Sequence, residues 1–137
     1  MISVECTKVC RDVRFPLAEV RRVATLVLKS ERVTNASVHI IFTDDTGIKA
    51  IHAKFLYQQR VTDIITFHLE EKPLTAEIYI NVQQAKRQAK EFGVSAANEI
   101  TRLIVHGLLH CRGYNDNNES ARKKMFIVQE RYVEKIC

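Results

Sequence analysis

Apolar residues recur along this chain in two rhythms. Alternation with a period of two marks residues 2–6 as a short strand, and the apolar run Val38-His39-Ile40-Ile41-Phe42 reads as another. Residues 62–68 and 76–81 extend the set. The Glu70-Glu71-Lys72-Pro73 turn between them predicts a hairpin-like antiparallel pair. The helical rhythm begins at Phe15-Pro16, where proline suits a first turn, and Leu17, Val20, Val23, Ala24 and Val27 form an inward stripe. Asp44-Asp45 reads as a turn, with a short helix from residue 46 to about residue 56. Residues 82–92 are helical and Gly93 stops them; Ser95 caps the next helix, which carries Ile100, Leu103, Ile104 and Leu108. A last helix spans residues 119–135, with Ala121, Met125, Val128, Tyr132 and Ile136 on one side. No linker, repeat or low-complexity segment interrupts this pattern. It predicts one α+β domain over residues 1–137: a small mixed sheet of about four strands covered by about five helices.

The chemistry is concentrated in residues 106–116, His-Gly-Leu-Leu-His-Cys-Arg-Gly-Tyr-Asn-Asp. Two histidines four apart project about 40° from each other on a helix and so share a face. Gly113 can end that helix in a left-handed conformation, turning the chain so that Asp116 comes back toward the imidazoles. Two helical nitrogens and a carboxylate from the returning loop describe a zinc site with a fourth position left for water. The spacing matches the frame of the metzincin zinc signature. A lone His-x-x-x-His pair is common in ordinary cores; the glycine and the third donor set this one apart. Zinc peptidases place a glutamate after the first histidine as general base, and Gly107 stands there instead. Proteolysis is thereby disfavoured. Cys111 projects about 140° from His106 and should not face the ion.

His-Gly-Leu-Leu-His-x-x-Gly-Tyr with a donor two residues on resembles the signature of the YbeY metallo-endoribonucleases. Thr62-Asp63-Ile64-Ile65-Thr66-Phe67 and Ala76-Glu77-Ile78-Tyr79-Ile80 are similar to two of that family's strands, and Met125-Phe126 to a pair it carries. The resemblance covers roughly residues 36–133. It implies a single-strand-specific, metal-dependent endoribonuclease of ribosomal RNA maturation and ribosome quality control, with His106, His110 and Asp116 holding one Zn²⁺. It also implies ribosomal RNA, and the ribosome or its proteins, as partners. Asp116 replaces the family's usual third histidine, and Ala76-Glu77 replaces a Gly-Asp pair. Leu56 and Gln59 stand where the family usually has arginine and aspartate. Arg60 is the candidate to take over the arginine's hold on a scissile phosphate.

Composition changes this picture little. The 137 residues, 46% apolar and 27% charged, suit one globular domain, and the four cysteines read as reduced thiols of a cytoplasmic protein. No apolar run approaches a membrane span, and no secretory leader pattern is evident. The net charge of +5 favours an anionic partner. Lys8, Arg11, Arg14, Arg21, Arg22, Lys29 and Arg32 concentrate it near the N-terminus, as a phosphate-tracking face or a solvated helix exterior. Glu99, seven residues before His106, could orient a ligand or relay a proton; equally, it is an acid favoured near a helix start. Tyr114 reads as a packing anchor for the ligand loop, His52 as a surface residue, and His68 as a strand residue able to line the cleft. Two other classes stay open. One is a different zinc hydrolase, although the deaminases' His-x-Glu and Cys-x-x-Cys pattern is absent. The other is a non-enzymatic, metal-stabilised ribosome or RNA-binding factor.

Overall fold

The computed structural model describes residues 1–11, 13–56 and 61–137. Four strands, β1 (Ile2–Lys8), β2 (Ala36–Thr43), β3 (Ile64–Glu71) and β4 (Leu74–Asn81), form one sheet in the order β1-β2-β4-β3. β1 runs parallel to β2 and β2 parallel to β4, whereas β3 is antiparallel to β4 and takes an edge. Five helices complete the α+β fold: α1 (Leu17–Ser30), α2 (Asp45–Leu56), α3 (Val82–Phe92), α4 (Ala96–Cys111) and α5 (Glu119–Ile136). A parallel pair needs a crossover, and α1 supplies the one from β1 to β2.

Side-chain alternation gives the sheet two unlike faces. Val38, Ile40 and Phe42 of β2, with Ala76, Ile78 and Ile80 of β4, point to a side where they share a core with α1, α4 and α5. On the other side α2 covers the β4–β3 end. Its Ile48 is fully buried, and Phe55 meets Phe67 edge-on at 5.6 Å, which meets Tyr79 at 5.9 Å. α4 lies between sheet and helices and is apolar nearly all round, as a helix enclosed by its neighbours must be. Burying each of Ile104, Leu108 and Leu109 contributes about 2 kcal/mol. No helix of the described residues is long and apolar enough to cross a membrane.

Four local expectations need correction. Leu17 is 40% exposed, because Phe15 enters the core in its place and packs on Phe42 at 6.0 Å. Asp45 begins α2 rather than forming a turn, and the Asp44 carboxylate accepts from the Gly47 amide at 2.9 Å. The buried stripe of α5 is Met125, Gln129, Val133 and Ile136, a rotation that leaves Ala121, Val128 and Tyr132 on its half-buried flank. His52 is buried, not on the surface: it lies on the side of α2 that faces inward with Ile48.

Candidate metal centre and substrate cleft

Ser95 starts α4 by accepting from the Asn98 amide at 3.0 Å, supplying one of the partners a helix start lacks. From residue 98 to 111 only Asn98, Arg102, His106 and His110 are less than fully buried. These residues recur every four positions, so they form one polar stripe on an otherwise enclosed helix. Gly107 lies between the histidines where α4 presses on the sheet. A Cβ there would stand 3.0 Å from Ile78 Cδ1, 3.1 Å from Thr66 Oγ1 and 3.2 Å from Ile64 Cδ1. The missing side chain therefore sets how closely the histidine helix approaches β3.

The helix ends as the glycine predicts. Gly113 has φ +95°, its amide donates to the His110 carbonyl at 3.1 Å, and the Tyr114 amide donates to the Leu109 carbonyl at 3.1 Å. This pair of bonds is a Schellman cap, which reverses the chain and satisfies carbonyls at the helix end. Tyr114 is half-buried against the core, the expected packing anchor. The loop then enters α5 through Asn118, whose side chain accepts from the Ala121 amide at 2.8 Å. Between these two fixed points the exposed Asp116 comes back to the histidines.

One ligand atom each from His106, His110 and Asp116 lies within 4.8 Å of the others. The two imidazole Nε2 atoms stand 3.1 Å apart. Donors around a tetrahedral zinc, at bonds of about 2.0–2.1 Å, are about 3.3 Å apart. The histidine pair thus has the right span, and an exposed carboxylate needs only a small inward movement. Two neutral imidazoles and one carboxylate are donors suited to a divalent ion of zinc's kind. Burial pushes the His110 imidazole below its usual pKa, helped by His106; Asp116 and a hydrogen bond to the Tyr114 backbone oppose this without reversing it. Such a ring is neutral at neutral pH, with one nitrogen protonated and the other free to donate a lone pair. Cys111 is not in the donor group, and burial pushes its thiol up to about 11, far from the thiolate a metal needs.

His106, His110 and Asp116 open onto a cleft of about 410 Å³, lined also by Asp63, Ile64, Thr66, His68 and Cys111, although Cys111 is not among the converging donors. His68 therefore does line the cleft. A second hollow of about 250 Å³ shares His68 and His110 and continues past Lys72 and Arg112. Lys72 and Arg112 in turn border a larger one, of about 700 Å³, that reaches Arg32. The N-terminal basic segment is otherwise elsewhere: Arg22 pairs with Glu19, and Arg21 donates to the Val4 carbonyl at 3.3 Å. Arg60 and Gln59 lie outside the described residues, as does the side chain of Leu56.

Glu99 is buried, and its oxygens accept from Gln88 Nε2 at 2.7 Å and Arg102 at 2.8 Å, so it sits behind the histidines and not in the cleft. Sequence reasoning missed its neighbours. Arg102 also donates to Glu130 at 2.8 Å and 3.0 Å; Glu130 accepts from the Gln129 amide at 3.1 Å; Gln129 Oε1 is 2.7 Å from His106 Nδ1. Burial pushes the Glu130 carboxyl up, but Arg102 and the Gln129 amide outweigh it and hold it below the usual carboxylate range. Two signals were available: the four-residue spacing of Asn98, Arg102, His106 and His110, and a glutamine at core spacing between Met125 and Val133.

The family model described as Endoribonuclease YbeY matches residues 7–137. The chain belongs to the YbeY family. It is similar to the Endoribonuclease YbeY of Endomicrobium trichonymphae, 34% identical over 122 residues that cover 87% of this chain and 86% of the relative. It is also similar to the Endoribonuclease YbeY of a Geobacillus species, 36% identical and covering 74% of each. The solution structure of a Thermotoga maritima protein matches with a TM-score of 0.74 at 28% identity, covering 99% of this chain and 89% of that one. The YbeY match thus reaches from β1 through α5, beyond the motif-bearing segment at residues 36–133.

Proposed function

We propose that this protein is a single-strand-specific, metal-dependent endoribonuclease acting in ribosomal RNA processing and ribosome quality control. It would work as one domain in the cytoplasm, with one Zn²⁺ held by His106, His110 and Asp116. The observation that carries this reading is the convergence of those three donors at the floor of a cleft flanked by basic side chains. Membership of the endoribonuclease family supports the reaction class.

When bound, the ion supplies Lewis-acid activation of water and of a phosphoryl oxygen. The protein's own residues do the rest. α4 holds both imidazoles in a largely dry wall, where electrostatic effects are stronger than in water. Lys72 and Arg112 bind backbone phosphates on one side of the scissile bond, in the hollow that continues from the cleft. His68, exposed at the junction of the two hollows, is placed to touch the strand at the site of cleavage. Arg60 remains the candidate for the scissile phosphate itself. A peptidase would lack an acid–base group at Gly107, and the zinc deaminase motif is absent.

The test is a cleavage assay on single-stranded and duplex RNA with zinc-reconstituted wild type and His110→Ala. Wild type should cut the single strand in preference to the duplex, and the variant should bind RNA but not cut it. Undiminished cleavage by His110→Ala overturns the metal mechanism. Salt-sensitive RNA binding with no turnover by wild type would favour the non-enzymatic factor. Analysis of product ends separates attack by water from attack by the ribose 2′-hydroxyl.

A further inference from the structure

We propose that Gln129 is a positioning residue for the metal centre: it locks His106 in the Nδ1–H tautomer and leaves Nε2 as a lone-pair donor. This rests on reading His106 as a ligand, and it follows from a chain of donors and acceptors that admits one direction only. Arg102 can only donate, and it does so to both Glu130 oxygens, at 2.8 Å and 3.0 Å. Glu130, ionised by that pairing, can only accept, so the group Gln129 turns toward it at 3.1 Å is the amide nitrogen. The amide oxygen of Gln129 is thereby turned to His106 Nδ1 at 2.7 Å, and an acceptor there requires a proton on that nitrogen. A neutral imidazole carries one proton. Its Nε2 therefore faces His110 Nε2, 3.1 Å away, with a lone pair.

Gln129 is 6% exposed on the core stripe of α5, an uneconomical place for an amide unless both its ends are used. Glu99 has a part at the far end, because its 2.8 Å bond from Arg102 steadies the guanidinium that orients Glu130. Partners of this kind behind a ligating histidine fix its tautomer and raise its basicity.

Two measurements test the proposal. Long-range ¹H–¹⁵N correlation spectra of metal-free, histidine-labelled wild type, at a pH where the rings are neutral, should show His106 as the Nδ1–H form. The Nε2–H form would overturn the proposal, and this result needs no variant to fold. Zinc affinity, by competition with a chromophoric chelator, should fall about 10–100-fold in Gln129→Leu. Gln129→Glu keeps an acceptor for Nδ1–H but sets a second carboxylate against Glu130, so its affinity should fall between those of wild type and Gln129→Leu. A folded Gln129→Leu within twofold of wild type would also overturn it. Failure of wild type to bind zinc would instead remove the metal reading, while the spectra still decide what Gln129 does to His106.

Discussion

The two histidines and the aspartate are held in opposite ways. His106 and His110 ride on a helix enclosed by the sheet and by α1, α3 and α5, with an ion-paired network behind one ring. Asp116 lies on an exposed loop tied at its ends by the cap at Gly113 and by Asn118, with one internal bond, from the Asn117 amide to Asn115 Oδ1 at 3.1 Å. Packing and hydrogen bonds hold the helix side without an ion; in the metal reading proposed above, the exposed carboxylate would complete the site.

That contrast breaks most completely at Gly107. Restoring the peptidase glutamate, Gly107→Glu, should not create a base. It drives a charged side chain against Ile78, Thr66 and Ile64 and should cost about 3 kcal/mol or more, read as loss of soluble protein or of cooperative unfolding. Arg102→Met comes next. It leaves Glu99 and Glu130 without their cation, and urea denaturation should show a loss of about 3 kcal/mol, since Glu99 is almost fully buried. On the loop side the effect changes in kind. Asp116→Ala should weaken zinc binding on the order of 100-fold while leaving the melting temperature of the metal-free protein unchanged. Asp116→His should restore binding.

Farther from the ion, Lys72→Glu or Arg112→Glu should weaken single-stranded RNA binding and reduce its salt slope by about one each, with folding intact. The smallest effect is on pH dependence. The folded His110 ring takes up a proton less readily than the unfolded one. Its contribution to stability is therefore present above the unfolded pKa of about 6.5 and lost as pH falls from there through the lower folded pKa. Metal-free protein should melt slightly lower at pH 5.5 than at pH 7.5, and His110→Gln should reduce that difference.

What the sequence made legible was local. The hairpin of β3 and β4, the left-handed stop at Gly113, the Ser95 cap and the shared face of the histidines each depend on residues within a few positions of one another. The bonds from His106 to Gln129 and from Arg102 to Glu130 join residues 23 and 28 positions apart, and periodicity carries no information about such pairings. The same limit hid the parallel pairing of β1, β2 and β4. It also left the phase of α5 ambiguous, since Val128 and Gln129 are adjacent and only the packed partner decides which turns inward. His52 was misjudged because α2 is short and weakly patterned, so its buried side is set by the sheet it covers.

The loop between Gly113 and Asn118 acts as a ruler clamped at both ends. Exchanging the donor at its midpoint would change which atom is offered to an ion, but adding or deleting one residue would move that point along the strip and out of reach. The length of this segment is therefore the property a redesign must preserve, while the chemistry at position 116 is open to choice.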